Sequence, residues 1–221
     1  MFEEIAPTYD LLNHLLSFGM DFWWRWKAVQ QVIEKRAGRF VDIAAGTGDL
    51  TIASLRAQPR QVVALDFALP TLQIAQKKFR AVQRQTILNL VFGDAASLPL
   101  RDESFEAALV GFGVRNFPDK PHALREIHRV LKPEGIVCIL EFSYSRAPLV
   151  SQLFQMYFRY AVPFLGGLIS GNTEAYEYLP KSMEEFPQPD QFLQLIREAG
   201  FHHGIYQQLT WGVVVLYVGK K

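Results

Sequence analysis

The stretch Phe40-Val41-Asp42-Ile43-Ala44-Ala45-Gly46-Thr47-Gly48-Asp49-Leu50 constrains the fold more than any other part of the chain. An apolar run of strand length ends in a turn of small residues, and a helix-like segment from Leu50 to Arg56 follows at once. A strand–turn–helix unit of this kind brings bare backbone N–H groups to a ligand at a helix N-terminus. Glycine suits the turn because it accepts φ > 0 and permits close approach. The spacing Asp42-x-Ala44-x-Gly46-x-Gly48 is not the G-x-G-x-x-G of a dinucleotide site.

Around this unit, strand-like runs alternate with amphipathic ones. The pattern predicts strands over 39–45, 61–65, 88–92, 105–110 and 136–142. It predicts helices over 49–57, 69–83 and 119–131, and a turn at Lys132-Pro133-Glu134-Gly135. Such alternation calls for a parallel sheet covered on both faces. Residues 1–37 read as helical, with a break at Gly19 and a second helix over 21–35 capped by Asp21. The Trp23, Trp24 and Trp26 stripe on that helix is either core packing or a hydrophobic lid over a ligand. Residues 144–200 are expected to be a mostly helical insertion over the carboxyl edge of the sheet, ending in a helix over 189–199. Runs 204–208 and 213–218 then close the sheet as an antiparallel pair. No repeat or linker divides the chain, so 1–221 is expected to be a single domain: lid 1–37, core 38–143, insertion 144–200 and strand pair 201–221.

A length of 221 residues can bury a substantial core. The net charge of +1 gives no electrostatic case for nucleic acid. Cys138 is the single cysteine and lies in an apolar run, so no internal disulfide is possible. No Cys/His cluster has zinc spacing, so no metal is expected, and a reducing cytoplasm fits. Met1 is followed by Phe2-Glu3-Glu4 rather than by a basic and then apolar leader. No apolar run of about 18 residues is present to span a bilayer.

In open parallel sheets, ligands sit beyond the carboxyl ends of the strands. The first strand offers Asp42 and the turn Ala44, Gly46, Thr47 and Gly48. The second ends in Asp66, about 20 residues on, where an acid takes ribose hydroxyls; an Asp that merely starts a turn is the plainer alternative. The third ends in Asp94-Ala95, suited to an adenine amino group and ring face, or simply to a Gly-Asp turn. The fourth ends in Gly111-Phe112-Gly113-Val114-Arg115-Asn116-Phe117, a ligand-facing wall. Residues 40–50 carry no positive charge for a pyrophosphate. Acids and aromatic faces suit a sulfonium nucleoside, which favours S-adenosylmethionine (SAM) over NAD.

Two further stretches resemble the signatures of the UbiE/MenG family, C-methyltransferases of ubiquinone and menaquinone biosynthesis. The first is Tyr9-Asp10-Leu11-Leu12-Asn13 with Leu16-Ser17 and Trp24. The second is Arg129-Val130-Leu131-Lys132-Pro133, then Gly135, then Glu141-Phe142-Ser143. Gly113-Val114-Arg115-Asn116 is similar to the family's GxRN segment, and the likeness runs through nearly the whole chain. The chain departs from the pattern at Asp21, at Glu134 and at Gly111, where some members carry a SAM-contacting serine, so that contact is not carried over. It also starts almost on the first signature, where relatives have an extension, so part of the natural N-terminus is expected to be missing.

The resemblance implies a class I SAM-dependent methyltransferase: an α/β, Rossmann-like fold whose seven-stranded, mostly parallel sheet has an antiparallel last strand. It implies SAM as methyl donor and methylation of a polyprenyl quinol, demethylmenaquinol or a related benzoquinol, at a ring carbon. Arg115 and Asn116 are candidates to hold a water or the quinol oxygen, with Tyr9 and Asp10 completing the network from the lid. Asp10 as a mere helix cap, His14 as a surface residue and Glu141 as scaffold for a nearby base are open readings. The apolar residues of the insertion, among them Leu149, Phe154, Tyr157 and Phe164 with Arg146 and Arg159 nearby, suit contact with the inner face of the membrane. Covering the sheet or forming a homodimer would use the same residues. A methyltransferase for another apolar acceptor, a non-catalytic SAM-binding scaffold and an NAD-linked oxidoreductase are the competing functions.

Overall fold

The computed structural model describes residues 10, 13–36, 38–143, 152, 154, 156, 157, 160, 162 and 174–221. Seven strands form one sheet: β1 (Arg39–Ile43), β2 (Gln61–Asp66), β3 (Leu88–Phe92), β4 (Phe105–Gly111), β5 (Leu131–Phe142), β6 (His202–Leu209) and β7 (Val214–Lys220). Their order is β3-β2-β1-β4-β5-β7-β6. β1 pairs in parallel with both β2 and β4, while β7 runs antiparallel to β5 and β6. The expected sheet is therefore the observed one, and the chain order reverses direction across β1 and β4.

Both faces of the sheet are buried, as a parallel sheet requires. On one face, α1 (Met20–Val32) lays Trp24, Ala28, Val29 and Val32 against Phe40, Leu109, Cys138 and Leu140. α2 (Asp49–Ser54) and α3 (Leu69–Ala81) complete that layer through Leu50, Ala75 and Phe79. The other face takes α4 (Lys120–Val130) and α6 (Pro189–Glu198), which bury Leu124, Ile127, Phe192 and Ile196 against Val41, Val110 and Ile139. Residues 138 and 140 face one layer and 137 and 139 the other, the period of two that a strand imposes. α5 (Glu174–Glu185) precedes α6.

Two local expectations are corrected. α1 is capped by Gly19 in the left-handed region, with no side-chain cap; Asp21 lies inside the helix and pairs with Arg25 instead. The 132–135 turn does not separate a helix from a strand. β5 already begins at Leu131, opposite Phe105, and the ladder resumes at Ile136 opposite Ala107. Residues 132–135 are an excursion within one strand, with Glu134 at φ 65°.

The turns after β1 and β4 touch. Ala44 holds φ 56° and Phe112 φ 58°, both in the region that favours glycine. A Cβ on Gly113 would lie 2.6 Å from the Cβ of Ala44. Gly113→Ala is thus expected to lower unfolding stability by about 1–3 kcal/mol through overpacking. Most of that loss should vanish in an Ala44→Gly background, which removes the clashing atom and the positive-φ strain; urea unfolding of the four proteins measures both.

Candidate active site

The carboxyl ends of β1, β2, β4 and β5 open onto a cavity of roughly 750 Å³. Its size falls in the range of ligand clefts. One half is built of short turns and acids. Gly46 N–H donates to Asp66 Oδ2 at 2.7 Å, and Ala68 N–H to Asp66 Oδ1 at 2.8 Å. Each carboxylate oxygen thus has one backbone donor and lone pairs to spare. Burial pushes the Asp66 carboxyl above its ordinary range, and its backbone hydrogen bonds oppose the rise. Asp94 Oδ1 accepts Ala96 N–H at 2.9 Å, which holds the turn that places Ala95 on the wall.

Asp42 is the most constrained acid. It is fully buried, and its Oδ2 accepts the Thr51 hydroxyl at 2.6 Å. Oδ1 is buried with no partner among the described residues. Burial, helped by the charge of Asp66 and opposed by Thr51 and Arg25, pushes the Asp42 carboxyl up to about 7. An orphaned buried oxygen on a ligand cavity is out of keeping with a purely structural acid, since buried polar atoms are almost always paired.

The other half is aromatic. Phe112 and Phe142 lie 4.6 Å apart between centroids, and Trp24 stands 5.9 Å from Phe112 and edge-on to Phe142. Trp24 Nε1 donates to Thr210 Oγ1 at 2.7 Å, which orients the indole. Beside this wall, Arg115 sits on the 3₁₀ turn Val114–Asn116 that follows β4. Its Nη1 donates to Glu141 Oε1 at 2.9 Å and also to the Phe112 carbonyl, while its backbone N–H reaches Glu141 Oε2 at 3.1 Å. Glu141, fully buried at the end of β5, thus holds Arg115 through both its side chain and its backbone. Arg115 Nε is buried without an acceptor among the described residues. Asn116 lines the cavity and accepts the Tyr178 hydroxyl through Oδ1 at 3.1 Å.

A chain of charges closes the rim. Lys78 Nζ lies 2.5 Å from both Asp10 Oδ2 and Asp49 Oδ1. Thr47 Oγ1 donates to Asp10 Oδ1 at 2.5 Å. Arg25 Nη2 is 3.3 Å from Asp49, and His14 Nδ1 is 2.6 Å from Asp21. Burial works against the charge on Asp21, but Arg25 with Ser17 and His14 holds its carboxyl below the ordinary value.

The expected site residues sort by place. Asp42, Ala44, Gly46, Thr47, Asp66, Asp94, Ala95, Arg115 and Asn116 line the cavity. Gly48 does not; it faces the Phe79 ring, 2.7 Å from where a Cβ would stand. Asp10 and His14 are off the wall, in the rim network. Tyr9 lies outside the described residues, as do Arg146, Leu149, Arg159 and Phe164. Phe154 and Tyr157 line the cavity. Tyr178, Thr210, Arg25 and Lys78 carry no motif, and only their distant partners mark them.

The sheet order, the turn after β1 and the acid-lined cleft are those of the class I SAM-dependent methyltransferases. A SAM-dependent methyltransferase from Aquifex aeolicus superposes with a TM-score of 0.60 at 12% identity, over 87% of this chain and 88% of its own. The [4+2]-cyclase SpnF superposes at 0.66 with 18% identity, over 89% and 80%. Such likenesses establish the fold alone, and a cyclase among them shows that the fold does not dictate the reaction. At the level of sequence, the model of the ubiE/COQ5 methyltransferase family matches residues 1–221. A demethylmenaquinone methyltransferase of Thermus thermophilus is 46% identical over 100% of both chains. A ubiquinone/menaquinone biosynthesis C-methyltransferase of Syntrophotalea carbinolica is 43% identical over 100% of this chain and 92% of its own. The chain belongs to the ubiE/COQ5 methyltransferase family.

Asp42 makes a pH prediction. Its folded pKa of about 7 exceeds the ordinary value of 3.8, so the folded state holds the extra proton between those limits. Stability contributed by the neutral carboxyl is present at low pH and is lost as pH rises toward 7. Asp42→Asn is always neutral, so its stability relative to the parent should grow between pH 4 and 7 and level off above. The plateau is at most about 4 kcal/mol, read by urea unfolding of the ligand-free proteins.

Proposed function

We propose that this protein transfers a methyl group from SAM to a ring carbon of a polyprenyl quinol, demethylmenaquinol foremost. The observation that carries the reading is the division of one cavity into an acidic backbone-lined half and an aromatic half with buried donors. The names of the relatives support the acceptor class. Residues 1–221 are read as one catalytic domain.

The orphaned Oδ1 of Asp42 fits a cationic group, and Asp66 fits a ribose diol through its remaining lone pairs. Ala44, Gly46 and Thr47 give the close backbone approach, and Asp94 with Ala95 takes the adenine. Gly48 acts from behind the turn. When bound, SAM supplies an electrophilic methyl on a sulfonium. The aromatic wall holds the quinol ring flat and dry, where alignment of carbon and methyl gives much of the acceleration. The Arg115 guanidinium and the Asn116 amide donate to a quinol oxygen. They stabilise the phenolate whose electron density moves onto the ring carbon. With SAM held there, the ring carbon would take the methyl as the carbon–sulfur bond breaks, and the ring C–H proton would pass to water to restore aromaticity. Tyr9 and Asp10 belong to the lid side of this network, Asp10 by clasping Thr47 to Lys78.

The quinol tail must leave the cavity toward lipid. Phe18, Met20 and Trp211 line the cavity and are exposed, and Phe22, Trp23 and Trp26 extend that surface along α1. An aromatic rim of this kind suits the bilayer interface. None of the described helices is long and apolar enough to cross a membrane.

Labelled SAM with short-tailed demethylmenaquinol under reducing conditions should put label in the ring. No label in that product or in a demethylated benzoquinol would defeat the reading. Asp66→Asn should weaken SAM binding about 10- to 100-fold by calorimetry, the loss of charge-assisted hydrogen bonds, with the far-UV spectrum unchanged. Arg115→Lys keeps a cation beside Glu141 but loses the planar fork. Its kcat should fall about 100-fold while SAM affinity stays within about twofold.

A further inference from the structure

We propose that Tyr178 is a positioning residue for methyl transfer: its hydroxyl sets the polarity of the Asn116 amide, so that the NH₂ group faces the quinol oxygen. The proposal rests on the quinol reading above.

The turn that carries Asn116 is otherwise self-contained. Its backbone is closed by Asn116 N–H to Gly113 O at 3.0 Å and Phe117 N–H to Val114 O at 3.1 Å. Arg115 is anchored by Glu141 through both its backbone and its guanidinium. Nothing within the turn orients the Asn116 side chain. That task falls to Tyr178, 62 residues away on α5, whose hydroxyl lies 3.1 Å from Asn116 Oδ1. Both residues line the cavity.

The two ends of an amide have nearly the same shape and opposite hydrogen-bonding character. With Oδ1 held by a hydroxyl donor, the NH₂ end remains for the cavity. Facing a ring hydroxyl, it stabilises the oxyanion and eases loss of the proton. In the flipped amide, the carbonyl would accept from that hydroxyl and hold the quinol neutral, the form whose ring carbon is the weaker nucleophile. A phenylalanine at 178 would fill the same space and lack only the hydroxyl, so the hydrogen bond is separable from packing. Because Tyr178 comes from α5 and Asn116 from the β4 turn, the same bond makes correct oxygen recognition depend on α5 being seated.

The test is Tyr178→Phe in the full chain, assayed with SAM and short-tailed demethylmenaquinol across pH. The expected result is a fall in kcat of about tenfold at neutral pH, the effect of one hydrogen bond. KM and SAM affinity should stay within about twofold, and the acidic limb of the kcat profile should move to higher pH. A purely structural tyrosine would not move that limb. In an Asn116→Ala background, Tyr178→Phe should have no further effect, since coupled residues are not additive. Unchanged kcat and an unmoved limb in Tyr178→Phe would overturn the proposal while the parent enzyme still methylates quinol. Undiminished loss in the Asn116→Ala background would overturn it too, by showing that Tyr178 acts elsewhere. A parent protein that methylates no quinol would bring down the substrate reading and this proposal together.

Discussion

A parallel sheet places every strand's carboxyl end along one edge, and the rest of this structure depends on where that edge reverses. The chain runs from β1 outward to β2 and β3, then returns to lay β4 and β5 on the other side. Helices leaving β1 and β4 must therefore part in opposite directions, and the gap between them is the cavity. The close contact of the two turns at Ala44 and Gly113 is the direct consequence: the strands are neighbours, so their exits collide unless one lacks a side chain. Bringing backbone this near leaves little room for side chains and exposes N–H groups to whatever binds.

Electrostatics then divides the cavity. The first three strand ends carry Asp42, Asp66 and Asp94, so that half is hostile to a further anion and receptive to a cation. Asp42 bears the greatest burden, because burial and the neighbouring Asp66 both oppose its charge. The compensating cations are Arg25, which lines the cavity, and Lys78 on the rim, each held between acids. The second half depends on one buried pair. Glu141 satisfies both the side chain and the backbone of Arg115, and removing one member of such a pair is far costlier than the pair's net worth. The guanidinium is thereby fixed through Nη1, and its Nε–H and Nη2 hydrogens are left without an acceptor among the described residues.

The sheet was legible because hydrophobic runs of strand length alternate with amphipathic helices throughout 39–142. The acids at strand ends were legible for the same reason: once a strand is placed, its last polar residue is placed. The structure departs from the pattern only locally. Asp21 has the chemistry of a cap, but Gly19 in the left-handed region begins the helix, and Arg25 one turn on claims the carboxylate. The 132–135 run has the composition of a turn, yet pairing with β4 resumes on its far side, which only the neighbouring strand could decide. Gly48 belongs to the motif by spacing, but the motif does not say which glycine faces the ligand and which faces Phe79.

What the sequence by itself determined is the order of elements, the sheet and the acids along its edge, because these follow from periodicity and from the rule that strands end where polar residues and turns begin. What only tertiary structure decided is partnership across distance. Glu141 meets Arg115 from 26 residues away, Lys78 meets Asp10 from a different helix, and Tyr178 meets Asn116. No spacing encodes such pairs. They arise because the folded sheet brings unrelated segments to one edge, where buried polar groups must find partners or remain open for a ligand.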